Sequence, residues 1–74
     1  MLSAIEMQLL ELEHVAADIR NKMQRTHLNV RVIWNDTLVP TIDHARRAAE
    51  CRDPAARAFV SSILVALRDF DETL

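Results

Sequence analysis

Three stretches of the 74-residue chain carry side chains whose types and spacing suit chemistry. The first is Glu11-Leu12-Glu13-His14, in which Glu11 and His14 have the Glu-x-x-His spacing that helical di-iron bundles use, with Asp18 one turn further on. A metal centre needs these groups to face inward. Leu9, Leu12 and Ala16 stand at core spacing on the same segment, and a helix that buries them turns Glu11 and His14 outward. A solvated face is therefore expected. A metal-binding helical bundle is the second alternative, open only if an oligomer buries this other face. His14, His27, His44 and Cys51 lack the close paired spacing of a zinc module, and no metal or cofactor is expected.

The second stretch, Asp43-His44, resembles half of a catalytic relay. A nucleophile would have to come from Ser61 or Ser62, which lie beside an apolar helical ladder and not on a sharp turn. Cys51 sits near a helix start that favours its thiolate, but no base is placed beside it. The chain is expected not to be an enzyme. The third stretch is basic: Arg20, Lys22, Arg25, His27 and Arg31, with Arg46-Arg47 further along. Such a cluster could face phosphates, which makes a nucleic-acid-binding regulator the first alternative reading. Against it stand 9 Lys and Arg opposed by 11 Asp and Glu, a net charge of −2, and only three aromatic residues: Trp34, Phe59 and Phe70.

The elements that position these groups are helical. With no glycine, the chain cannot build glycine-dependent hairpin turns, phosphate loops or dinucleotide fingerprints. Ser3-Ala4-Ile5-Glu6 has the form of a capping box, with Leu2 and Met7 at the flanking staple positions. From there Ile5, Leu9, Leu12, Ala16, Ile19, Met23, Thr26, Val30 and Ile33 step by four and three, which predicts one long helix whose end the spacing does not fix: Asn29 to Trp34, rich in β-branched residues, is read as helical, with an early exit or a short strand as the alternatives. Asn35-Asp36-Thr37 supplies three capping-type residues, so the chain is expected to turn there. Beyond it the ladder resumes at Leu38, Ile42, Ala45 and Ala49, passes Asp53-Pro54, and continues through Ala56, Val60, Ile63, Leu67, Phe70 and Leu74.

The expected fold is one all-α domain over residues 1–74. It is either a long helical hairpin whose second helix is kinked or broken at Asp53-Pro54, or a three-helix bundle of about 30, 15 and 18 residues. A turn near residue 35 would gather the basic stretches 20–31 and 46–57 at one end and the acidic residues of both termini at the other, giving an acid end and a base end. At this size one core seldom supplies more than roughly 3–5 kcal/mol, and the lone Cys51 excludes an internal disulfide. The core is therefore expected to be completed by oligomerisation, as a homodimer, or by an obligate protein partner. No apolar run reaches the roughly 18 residues of a membrane span, and the start lacks the basic region of a signal peptide, so a cytoplasmic chain with no membrane partner is expected.

These features favour a small non-enzymatic interaction module that acts by helix-face packing: an adaptor, an inhibitor or a co-chaperone. The candidate partner-binding residues are Trp34 as an aromatic anchor, the Ile63, Leu67 and Phe70 ladder as a core or interface face, and Arg46 and Arg47 as a charged rim. In outline alone, a glycine-free chain with a long capped helix and a second helical half resembles small helical-hairpin proteins such as type III secretion co-chaperones or phage-encoded inhibitors. Arg52-Asp53-Pro54 ahead of an amphipathic helix is similar to the last helix of helical chorismate mutases, a likeness that assigns no residues.

Overall fold

The computed structural model describes residues 2–74. It is 84% helical, and no strand occurs among the described residues. Helix α1 spans Ala4–Met23, α2 Leu28–Ile33, α3 Val39–Glu50 and α4 Ala56–Thr73; a π-helical turn at Trp34–Leu38 joins α2 to α3 without a break. The three resulting rods run up, down and up. Gln8 reaches Ser61 and Lys22 reaches Asp71, so α1 and α4 are parallel, while Glu13 meets Arg46 on the antiparallel α3 between them in sequence.

Helix α1 starts as its sequence predicts. Ser3 Oγ accepts from the Glu6 amide and the Glu6 carboxylate accepts from the Ser3 amide, which completes the capping box. The staple positions behave differently, since Leu2 and Met7 both stay exposed. Leu12, Ala16, Ile19 and Met23 are buried, with Ile5 and Leu9 packed beside them.

The first reversal comes at residues 24–27, not at 34–37. Arg25 and Thr26 amides bond back to the Lys22 and Met23 carbonyls, and Thr26 Oγ1 donates to the Lys22 carbonyl at 2.6 Å, closing the helix end. The expected turn at Asn35-Asp36-Thr37 is instead the π turn. Its bonding runs one residue longer than in an α-helix, with the Val39 amide donating to the Trp34 carbonyl. Pro40 explains the widening: in a plain α-helix its ring would strike the Asp36 carbonyl. The Thr37 carbonyl takes a bond from Thr41 Oγ1 at 2.7 Å.

The widening also keeps a stripe in register. Val30, Trp34, Leu38 and Ile42 are four residues apart, and each such step overshoots a helical turn by about 40°. The longer π turn absorbs that drift, so all four pack into the core, whereas Ile33, expected on the seam, is half exposed.

The second corner separates α3 from α4, so the second half is two helices, not one kinked rod. The Arg52 amide bonds to the Ala49 carbonyl and the Asp53 amide to the Ala48 carbonyl, the Schellman pattern. It places Arg52 at φ 57, the left-handed position that glycine normally takes. Asp53 Oδ1 accepts from the Ala55 amide at 2.9 Å, and α4 begins at Ala56, two residues after Pro54. Leu12, Ile19, Val60 and Leu67 form the most deeply buried layer between α1 and α4.

Two outcomes test this account. Arg52→Gly removes the left-handed strain and should stabilise the chain by about 1 kcal/mol, seen as a higher denaturation midpoint in urea. Leu67→Ala leaves a cavity in the deepest layer and should cost about 2–5 kcal/mol by the same measurement.

Candidate interaction surfaces

The six residues singled out for partner binding do not share a surface. Trp34 is 4% exposed and stacks on Phe70 with ring centroids 6.2 Å apart, so it closes the core at that end and is not an exposed anchor. Ile63 and Leu67 are buried in the same core, and Phe70 is half-buried against it. The ladder is thus internal. Arg46 is held by two carboxylates: its guanidinium forks onto both Glu13 oxygens, Nη2 to Oε2 at 2.7 Å, and donates through Nη1 to Asp43 at 2.8 Å. The Glu13 hydrogen bond is the main reason that Arg46 holds its proton more firmly than usual. Arg47, next in sequence, is exposed and makes no ion pair among the described residues.

The remaining chemical candidates are also placed apart. Glu11 pairs with Arg68 of α4, while His14 and Asp18 are exposed. No group of three or more His, Cys, Asp or Glu positioned to hold a metal ion occurs among the described residues. Asp43 faces Arg46, whereas His44 sits edge-on to Phe59 at 5.3 Å. Cys51 is exposed at the α3–α4 corner.

Moving the first reversal ten residues earlier rearranges the charges. The basic stretch 46–57 now lies beside the start of α1, and stretch 20–31 lies at the opposite end of the bundle. The expected acid end and base end do not form. Glu13–Arg46, Glu11–Arg68 and Lys22–Asp71 instead lace the helices together along their length. Pairs this exposed contribute little each; the Arg46 and Glu13 side chains are 36% and 45% exposed.

What the structure does present is apolar surface outside the core. At the start of α1, Leu2, Leu9 and Leu10 line a groove of about 270 Å³ whose charged lining consists of Glu6 and Glu13. It adjoins a larger groove of about 630 Å³ where Ile5 and Leu9 face Ala49, Pro54 and Ala56 across the corner, with Arg52 and Arg57 at its edge. At the other end α2 buries none of its residues, and Leu28, Val32 and Ile33 are 65%, 47% and 50% exposed. Sequence reasoning assigned these residues no binding role. The available signal was subtraction: Leu10, Leu28 and Val32 are apolar residues left over once every seam position is filled.

Comparison with known proteins finds no matching family model, no matching curated protein and no matching solved structure. The chain's own surfaces therefore carry the functional reading.

A double-mutant cycle on Arg46→Ala and Glu13→Ala should give a coupling of about 0.2–1 kcal/mol that shrinks as salt is added. A coupling well above that range would show the pair to be desolvated.

Proposed function

We propose that the chain is a small non-enzymatic protein–protein interaction module of the cytoplasm, an adaptor, inhibitor or co-chaperone that binds through helix faces. One observation carries the reading. Large apolar side chains lie outside its core, and several of them gather in two places, the Leu2–Leu10 groove at the start of α1 and the Leu28, Val32 and Ile33 face of α2. Exposed apolar groups gathered beside charged ones are how a surface recognises another protein, because burying them supplies affinity while the rim selects orientation. The grooves are shallow and open, and a helix or a loop fits them better than an enclosed small molecule does. No helix among the described residues is long and apolar enough to cross a membrane.

The binding faces proposed differ from the residues that the sequence singled out. Trp34, Ile63, Leu67 and Phe70 support the module from inside, and of the two arginines Arg47 alone is free for a rim.

The test compares wild type with Leu10→Glu, a substitution at a position 58% exposed and therefore compatible with the fold. A partner recovered from the source cells is purified and its binding titrated against both. Wild type should bind with saturable stoichiometry, and the variant at least about tenfold more weakly. Equal binding by both, with Val32→Glu also unchanged, would remove the support for these faces.

A further inference from the structure

We infer that the corner at residues 24–27 is a hinge through which two copies of this chain exchange α1. In the exchanged form α1 runs straight on into α2 and α3, and each copy's α1 packs against the α3 and α4 of the other.

Little in the corner opposes straightening. No glycine or proline lies between Ala4 and Val39. Gln24 keeps helical angles, and His27, extended at φ −58 and ψ 148, starts α2 without any side-chain capping bond. Thr26 Oγ1 donates to the carbonyl of Lys22, four residues back, a bond that a continuous helix also permits. The apolar ladder runs through the corner unchanged: Ile19, Met23, Thr26, Val30 and Ile33 keep the steps of four and three that belong to one rod.

Register shows what a straight rod meets. Glu13 lies level with Arg46 on the antiparallel α3. Counting on from the first and back from the second at equal pace puts Met23, the end of α1, level with Asp36. Helix α2 therefore overhangs α1, which accounts for its burying none of its residues. On a straight rod the same count sets Thr26 level with Ile33 of the second copy, and the two-fold axis falls at Asn29-Val30. The ladder beyond Met23 thus runs beside the same ladder of the other copy.

Direction is kept as well. Two such rods lie antiparallel, as α1 and α3 do within one chain, so the contacts of α1 with α3 and α4 are all remade between copies and the pair closes on itself. The rod from Ala4 to Glu50 is then about 70 Å long, against 38 Å for the single chain. Because each contact has an equivalent in both forms, concentration decides between them.

The experiment refolds the full chain from urea at micromolar and at millimolar concentration and measures molar mass by light scattering. Wild type should give monomer from the first and a dimer fraction from the second. Gln8→Cys with Ser61→Cys, in a Cys51→Ser background, marks the α1–α4 contact. A short bismaleimide should then link two chains in the dimer and stay within one chain in the monomer. Leu28→Pro suits the closed corner, since residue 28 opens α2 and His27 before it is already extended. In the straight rod its ring strikes the Gln24 carbonyl, so the variant should keep its helicity and dimerise at least about a hundredfold more weakly. Thr26→Leu, at a half-buried rung of the ladder, should strengthen dimerisation about tenfold.

A wild type that stays monomeric after refolding at millimolar concentration overturns the inference, and so does a dimer whose cross-links stay within one chain. A dimer that Leu28→Pro leaves equally tight overturns it too. Should the proline variant fail to fold, Thr26→Leu decides, because a dimer that it does not strengthen has its hinge elsewhere. None of these outcomes bears on the exposed faces, so the proposed function stands or falls separately.

Discussion

The bundle depends on one requirement, that the central rod from Leu28 to Glu50 keep a single side towards α1 and α4 although its apolar residues are spaced by four. An unbroken α-helix cannot do this over Val30, Trp34, Leu38 and Ile42, because the stripe would wind off the core. The π turn at Trp34–Leu38 corrects the phase where Pro40 prevents regular bonding. One local irregularity thus serves two ends. It relieves the proline clash, and it seats Trp34 on Phe70 to close the far end of the core.

The absence of glycine shapes the rest. A helix that must stop sharply needs a residue in the left-handed region, and here Arg52 takes it at φ 57. The corner tolerates the strain because the Schellman bonds to Ala48 and Ala49 and the Asp53 side chain on the Ala55 amide all act together. The other corner avoids the problem by a different route: α1 frays into the turn at 24–27, with Thr26 Oγ1 taking the Lys22 carbonyl.

Local signals in the sequence were legible where one residue type has one physical meaning. The Ser3–Glu6 box, the α1 seam from Leu12 to Met23 and the α4 seam from Val60 to Leu67 are each read from spacing alone, whereas Asp53-Pro54 marked an interruption without deciding between a kink and the break that the structure shows. The reversal was misplaced because Asn35-Asp36-Thr37 looks like a cap by composition, while Thr26, the one hydroxyl rung in an apolar ladder, marks the actual helix end. A seam counted in fours and threes cannot reveal a π turn, which changes the period itself. That single misplacement of the turn carried the charge pattern with it, since which basic stretch faces which acidic one depends on where the chain folds back.

The surfaces were the least legible part, for a physical reason. Core positions announce themselves by period, but a binding face is defined by what the core leaves over, and the remainder is known only once the core is. With the turn at 24–27, Trp34, Ile63 and Leu67 are needed inside, and the large apolar residues left outside are Leu2, Met7, Leu10, Leu28, Val32, Ile33, Val65 and Leu74. The chain's small size and lack of a disulfide suggested a core in need of completion. The core spans all three rods, with residues of α1, of the rod from α2 to α3 and of α4 in one cluster, so the apolar groups outside it are defined only once the position of the turn is known.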